Sequence, residues 1–138
     1  MAETFCVDPG PGAASGSKVL IIEDDRFISE MYSRILRDAG YVATVAHDGR
    51  AGLDQIKEGD YDLVLLDIML PRMLGDEVLH QWREFKPKSE RPRIIVMTNF
   101  EQDEISRAAL EAEVDAYLIK ADITPCKLRE VVAKVLEN

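Results

Sequence analysis

The chain alternates short apolar runs rich in β-branched residues with segments in which apolar residues recur every three or four positions. A short apolar run with polar boundaries is typical of a strand buried on both faces. Apolar residues that recur every three or four positions are typical of an amphipathic helix. The alternation predicts a parallel sheet built from βαβ units. The predicted strands are Lys18–Ile22, Tyr41–Ala46, Asp62–Leu66, Arg93–Met97 and Ala116–Ile119.

Helical segments separate and follow these strands. The segment Gly49–Lys57 is the weakest, because Asp48 is placed to cap a helix there but two glycines lower its helix propensity. Five strands alternating with five helices through right-handed crossovers give a doubly wound α/β fold, a (βα)5 three-layer sandwich. We expect the strand order 2-1-3-4-5 by analogy with flavodoxin-like proteins. The other helical stripes span residues 27–36, 78–85, 105–112 and 128–136.

Composition and charge narrow the class of protein. Residues 1–17 consist largely of glycine, proline, serine and other small residues, which predicts a flexible tail, either natural or added to the protein. Residues 18–138 are expected to form one domain. The 138 residues include 17 Lys and Arg against 26 Asp and Glu, a net charge of −9, which argues against direct nucleic-acid binding.

No sequence feature indicates a secretory signal or a membrane-spanning segment. The residues before Lys18 lack a basic segment followed by an apolar one, and no apolar run approaches the roughly 20 residues needed to span a bilayer. The two cysteines, Cys6 and Cys126, do not form a disulfide framework. We expect reduced thiols and a cytoplasmic location.

Polar residues collect where the predicted strands end. Glu23 and Asp24 follow the first strand, Asp67 the third, Thr98 the fourth and Lys120 the fifth. Parallel strands end at one edge of the sheet, and ligands bind at that edge where the strand order reverses. Asp24 and Asp67 should therefore face each other across a narrow cleft, with Glu23 beside them.

Such a cluster has a restricted chemistry. Three carboxylates repel one another unless a cation neutralises them or their pKa values rise, and oxygen ligands favour Mg²⁺. A lysine and a hydroxyl beside the metal indicate a phosphoryl site, in which Asp67 can act as the nucleophile and carry an acyl phosphate.

Other chemistries lack support. No glycine-rich phosphate loop follows the first strand, so nucleotide binding is not indicated. His47 and His80 have no histidine or cysteine at metal-ligand spacing, which leaves zinc binding and Ser-His-Asp catalysis unsupported.

Four motifs at these strand ends together match a known family. They are Ile21–Asp25, Leu65–Pro71 with Gly75, Val96–Thr98 and Tyr117–Lys120, and they resemble the response-regulator receiver domain of two-component signalling. The resemblance extends from residue 18 to residue 138.

The resemblance implies a metal site. In such a domain Asp24 binds Mg²⁺ directly, Glu23 binds it mostly through water, Asp67 is also a ligand, and Met69 contributes its backbone carbonyl. Mn²⁺ substitutes for Mg²⁺ in sites of this kind.

The resemblance also implies a reaction. Asp67 accepts a phosphoryl group from the phosphohistidine of a sensor histidine kinase or phosphotransfer protein. Lys120 pairs with the phosphoryl oxygens and Thr98 donates a hydrogen bond to one of them. The domain is then a regulatory phospho-acceptor, not an enzyme, which assists its own phosphorylation and slow autodephosphorylation.

The resemblance implies that phosphorylation changes a protein-binding surface of the domain. Movement of Thr98 is coupled to an inward turn of an aromatic side chain on the fifth strand, here Tyr117. The surface formed by the fourth helix, fifth strand and fifth helix then binds a downstream protein. We expect a monomer or a weak phosphorylation-dependent dimer, without direct nucleic-acid or membrane contact.

Two positions depart from the family pattern. Ala121 follows Lys120 where a proline is usual, and Asn99 follows Thr98 where a small residue is usual. They keep open the alternative of a pseudo-receiver, an interaction module that works without phosphorylation. A phosphatase that uses Asp67 would need a second acid at the position of Met69.

The resemblance further implies that the residues two positions after Asp67 and two after Thr98 influence how fast water removes the phosphoryl group. These residues are Met69 and Phe100, and we predict that both apolar side chains shield the acyl phosphate from water and prolong its lifetime. The double variant Met69→Asn, Phe100→Glu should lose its phosphoryl group faster than the wild type, as measured by the decay of the phosphorylated species. An unchanged rate would contradict the prediction.

Overall fold

The computed structural model describes residues 16–85, 92–99 and 104–137, which form five strands and five α-helices in alternation. The strands are β1 (Lys18–Ile22), β2 (Val42–Ala46), β3 (Leu63–Asp67), β4 (Arg93–Thr98) and β5 (Ala116–Ile119). The helices are α1 (Arg26–Asp38), α2 (Gly49–Glu58), α3 (Gly75–Phe85), α4 (Glu104–Glu111) and α5 (Pro125–Glu137), and a 3-10 turn spans Lys120–Asp122.

The strands form one parallel sheet in the order β2-β1-β3-β4-β5. This confirms the predicted doubly wound fold and its strand order. The register pairs Ile22 with Leu66 and Thr98 with Ile119. The carboxyl ends of β1, β3, β4 and β5 therefore reach the same edge of the sheet.

Two apolar clusters cover the faces of the sheet. Alternate strand residues point to opposite faces, so Ile21 and Leu65 pack with residues of α1 and α5, whereas Ile22 and Leu66 pack with residues of α2, α3 and α4. Every residue of β3 is buried, which is expected of the central strand in a three-layer sandwich.

Side-chain caps start three of the helices. Asp25 Oδ1 accepts from the Ile28 N–H at 3.1 Å at the start of α1, and Asp48 Oδ1 accepts from the Ala51 N–H at 2.8 Å at the start of α2. At α5, Thr124 Oγ1 accepts from the Lys127 N–H at 3.0 Å. Helix α2, the weakest of the predicted helices, forms because the Asp48 cap and the burial of its apolar face outweigh the low helix propensity of its two glycines.

The element boundaries differ from the prediction by one residue in places. Strands β2 and β3 begin one residue later than predicted, and β3 and β4 end one residue later. The ladder continues through Asp67 because that residue pairs with Met97, so Asp67 and Thr98 are the last residues of their strands. Both side chains are thereby held by regular backbone structure.

Most of the predicted tail, residues 1–15, lies outside the described residues. Its last two residues pair with the start of β2: the Gly16 N–H donates to the Gly40 carbonyl at 2.8 Å, and the Ser17 carbonyl accepts from the Val42 N–H at 2.9 Å. Cys126, in α5, is disulfide-bonded, so the expectation of reduced thiols was wrong for this residue.

Within the described part of the chain, no helix has the length and apolar character needed to cross a membrane.

Replacing Leu36 by alanine should destabilise the protein by about 2–5 kcal/mol, because Leu36 is fully buried between α1 and the sheet. Met31→Ala is the matched control, since Met31 lies on the same helix and is 40% exposed. This substitution should lower the free energy of unfolding by less than about 1 kcal/mol. Urea unfolding measures both values. Equal losses would contradict the assignment of Leu36 to the core.

Candidate functional site

The strand ends bring three carboxylates together. Ile22 and Leu66 are paired across β1 and β3, so the residues after them, Glu23 and Asp67, reach the sheet edge at the same level. Glu23 is 0% exposed and Asp67 is 2% exposed, whereas Asp24 is exposed to solvent. Each of the three offers a carboxylate oxygen, and these oxygens lie within 4.8 Å of one another.

Lys120 bridges two of these acids. Its Nζ lies 2.9 Å from Asp67 Oδ2 and forms an ion pair with Glu23 Oε1. The register of β5 against β4 places Lys120 directly after the last paired residue, at the start of the 3-10 turn. Only 8% of its side chain is exposed. The ammonium therefore reaches the cluster although Ala121 stands where a proline is usual.

Backbone groups orient the two buried carboxylates. Asp67 Oδ1 accepts from the Met69 N–H at 3.1 Å, and Glu23 Oε2 accepts from the Asp25 N–H at 3.2 Å. The backbone of Glu23 is also held, because its N–H donates to the Ala46 carbonyl at 3.0 Å and its carbonyl lies 3.3 Å from His47 Nδ1. Backbone hydrogen bonds therefore hold both carboxylates in place.

Burial dominates the electrostatics of the cluster. Desolvation raises the pKa of Glu23 from 4.5 to about 7; the charge of Asp67 acts in the same direction, and hydrogen bonds from Lys120 and the Asp25 N–H oppose it. For Lys120, burial alone would lower the pKa, but hydrogen bonds to Glu23 and Asp67 outweigh it and raise the pKa above its ordinary value. The ammonium therefore stays charged.

The donor set fits a hard divalent cation. Three carboxylates against one ammonium leave an excess of negative charge when all are ionised, and oxygen donors are those that such ions prefer. Because Asp24 faces solvent, the cluster is open on one side, as a partly hydrated ion requires. Glu23, Asp24 and Asp67 could together hold a metal ion.

The remaining predicted site residues are Thr98, Tyr117, Met69 and Phe100. Thr98 is fully buried at the end of β4, on the same sheet face as Val96, and Val96 pairs with Tyr117 of β5. Tyr117 is half-buried and packs against the cluster that faces α2 and α3. Met69 is 49% exposed, and Phe100 lies outside the described residues.

Sequence reasoning missed two residues close to the site. Tyr32 of α1 is buried, and the charges of Lys120, Glu23 and Asp67 all act on its hydroxyl, whose pKa is raised chiefly by burial. In the sequence, Tyr32 was only one member of a helical apolar stripe. Gly75 belongs to one of the four motifs, but the sequence assigned it no role. In the structure a Cβ at this position would collide with the Asp67 carbonyl oxygen, so the close approach of the two backbones requires glycine.

Comparison with known proteins gives one consistent family. The sequence model of the response regulator receiver domain matches residues 19–135. The chain is 36% identical over 118 residues to regulatory protein VanRB of Enterococcus faecalis and 38% identical over 118 residues to transcriptional regulatory protein DltR of Streptococcus agalactiae. Each alignment covers 86% of this chain and 50% of the relative, so the chain spans about half the length of these curated relatives.

Solved structures show the same similarity. A response regulator receiver domain protein of Methanospirillum hungatei is 32% identical with a TM-score of 0.78, over 89% of this chain and 95% of that one. The response regulator TrrA of Thermotoga maritima, solved in complex with Mg(2+)-BeF, is 30% identical with a TM-score of 0.73, over 86% and 98% of the two chains.

The raised pKa of Glu23 predicts a pH-dependent stability in the absence of divalent cations. The folded chain retains the Glu23 proton to about pH 7 and the unfolded chain loses it near 4.5, so the folded state binds more protons between these values. The contribution of Glu23 is therefore fully present below pH 4.5 and declines as pH rises to about 7. The loss should be on the order of 2 kcal/mol.

Urea unfolding in EDTA at pH 5 and pH 8 measures this loss. Glu23→Gln is the control, because it cannot titrate and should show a smaller decrease in the free energy of unfolding. The same decrease in wild type and variant would show that Glu23 is not the group responsible.

Proposed function

The chain belongs to the response regulator receiver domain family, and from that premise we propose that Asp67 is the phospho-acceptor of a Mg²⁺-dependent switch. The observation that carries the proposal is Lys120, whose ammonium contacts buried Asp67 and Glu23 at the sheet edge. An ammonium beside a carboxylate nucleophile and two further acids is the arrangement that phosphoryl transfer to a side chain requires. The family model matches residues 19–135, and we propose that the receiver domain spans residues 18–138.

The proposed reaction is an in-line displacement. A carboxylate oxygen of Asp67 attacks the phosphorus of a phosphohistidine on a sensor histidine kinase or phosphotransfer protein. The new O–P bond forms as the P–N bond breaks, and the imidazole nitrogen leaves with the electron pair. The product is an acyl phosphate on Asp67.

The metal would be held by Glu23, Asp24 and Asp67 together with the backbone carbonyl of Met69. Mg²⁺, or Mn²⁺ in its place, supplies positive charge that offsets the phosphoryl oxygens when it is bound. The similar Thermotoga maritima protein was solved in complex with Mg(2+)-BeF, which supports this choice of ion.

Lys120 and Thr98 would contact the phosphoryl group after transfer. The ammonium of Lys120 is charged and already directed at Asp67 Oδ2, so it can pair with a phosphoryl oxygen without a large movement. Thr98, at the end of the neighbouring strand, would donate its hydroxyl hydrogen to a second oxygen.

The Thr98 contact would drive the switch. Val96 and Tyr117 are paired, so Thr98 and Tyr117 belong to adjacent strands on one face of the sheet. Movement of the threonine would then make room for the aromatic ring to turn inward. A hydrogen bond to a charged group contributes ~1.5–3 kcal/mol, which shifts a two-state equilibrium by roughly ten- to a hundredfold. Some active conformation should therefore exist without phosphate.

The output would be a protein contact. We propose that the surface of α4, β5 and α5 binds a downstream protein, in the cytoplasm, with the chain as a monomer or a weak dimer that forms on phosphorylation. The chain would act as a regulatory phospho-acceptor with slow autodephosphorylation, without direct nucleic-acid or membrane contact.

Acetyl phosphate with Mg²⁺ should add one phosphoryl group to the wild-type chain but none to Asp67→Asn, as measured by intact mass. Asp54→Asn is the control, because Asp54 is an exposed acid on α2, and this variant should be labelled like the wild type. Lys120→Ala should be labelled more slowly, by roughly tenfold or more, because one charge that stabilises the transition state is gone.

Beryllofluoride with Mg²⁺ should shift the NMR signals of Thr98 and Tyr117 in the wild type and leave those of Asp67→Asn in place. If the wild type gains no Mg²⁺-dependent adduct at Asp67, the proposed function is wrong and a pseudo-receiver is favoured.

A further inference from the structure

The loop that follows Asp67 determines how the carboxylate of that residue is held. We call residues 68–74 the acceptor loop. It is closed at its base, because the Gly75 N–H donates to the Ile68 carbonyl at 2.8 Å. It also carries Met69, whose N–H donates to Asp67 Oδ1 at 3.1 Å. A shift of the loop would therefore alter the orientation of Asp67.

The far side of the acceptor loop lies against the first residue of α2. The Gly49 N–H donates to the Pro71 carbonyl at 3.4 Å. A Cβ on Gly49 would collide with the Met73 carbonyl oxygen and come within 2.9 Å of the Met73 Cβ. The two backbones are thus in contact, with no room for a side chain between them.

Asp48 makes a second connection between α2 and the loop. One of its oxygens, Oδ1, caps α2 through the Ala51 N–H at 2.8 Å, and the other, Oδ2, lies 3.7 Å from Arg72 Nε. Among residues 16–85, 92–99 and 104–137, Arg72 alone of the non-glycine residues has a positive φ, at 70°. L-residues rarely adopt this conformation, so the contacts around the loop must maintain it.

The two contacts differ in strength. Arg72 is largely exposed, and an exposed ion pair contributes little by itself. The backbone contact at Gly49 cannot be relieved by a change of rotamer, so it has the larger influence on the position of the loop.

We propose that Gly49 and Asp48 are positioning residues of the phospho-acceptor site. The start of α2 supports the acceptor loop and keeps the Met69 N–H in contact with Asp67. This inference rests on the proposed function of Asp67. Neither residue is placed in the reaction itself, since Gly49 acts through the backbone of the loop and Asp48 through the Arg72 side chain.

Gly49→Ala tests the backbone contact. Phosphorylation by acetyl phosphate and Mg²⁺ affinity measured by calorimetry should each fall by roughly tenfold or more, because the added methyl displaces the loop that orients Asp67. Gly59→Ala is the matched control at the opposite end of α2, where a Cβ would collide with the Tyr61 ring. It should lower the free energy of unfolding and leave both site measurements at wild-type values.

A measurement without metal separates positioning from a loss of stability. In EDTA, the amide NMR signal of Met69 should shift in Gly49→Ala, because its hydrogen bond to Asp67 changes, and should stay in place in Gly59→Ala. A purely structural role for Gly49 would leave that signal and the Mg²⁺ affinity unchanged.

Two milder variants test the inference if Gly49→Ala does not fold. Asp48→Asn keeps a capping oxygen but removes the charge, and Arg72→Gly removes the ion pair while accepting the positive φ. Each should reduce the phosphorylation rate by about two- to fivefold. The double variant should be no slower than the slower single variant, because both changes remove the same contact.

The outcomes distinguish the two proposals. A wild-type chain without a Mg²⁺-dependent adduct at Asp67 would overturn the proposed function and this inference with it. A labelled wild type, with Gly49→Ala, Asp48→Asn and Arg72→Gly all labelled at the wild-type rate, would overturn this inference alone.

Discussion

The ion pairs of Lys120 with Glu23 and Asp67 are the constraint on which the site depends. A parallel sheet directs the carboxyl ends of its strands to one edge, and burial there removes the water that would otherwise solvate the charges. Truncating one partner of such a buried pair leaves an uncompensated charge, which typically costs about 3–5 kcal/mol. The same side chains therefore link the ends of β1, β3 and β5 and carry the proposed chemistry, so a substitution of any of these three residues should alter both stability and reactivity.

The core explains how Asp67 is held at this edge. Residues of β3 are buried on both faces, and Asp67 is the last of them, so the carboxylate proposed as the phospho-acceptor is attached to the most enclosed strand of the sheet. Asp25 and Asp48 use their side chains to cap helices close to the cluster. Two acids at helix starts thus lie beside the three acids of the cluster.

Much of the fold could be predicted from the sequence, because apolar runs and helical stripes are local patterns. The strand order came from analogy, and the placement of Asp67 and Thr98 inside their strands became visible only in the register. The electrostatic influence of the charged cluster on Tyr32 and the contact of Gly49 with the acceptor loop could not be predicted. They join segments distant in sequence, and nothing in the periodicity of either segment indicates its neighbour.

The residues of the site belong to two kinds of backbone, regular strand and exposed loop. Asp67 and Glu23 are bonded to the sheet, where amide hydrogens exchange with solvent only when a large part of a protein opens. Asp24 and Met69 lie on exposed loops, where small local openings expose the backbone far more often. The loop half of the site is therefore expected to open more often than the half in the sheet, and each opening at Met69 would also release one hydrogen bond to Asp67.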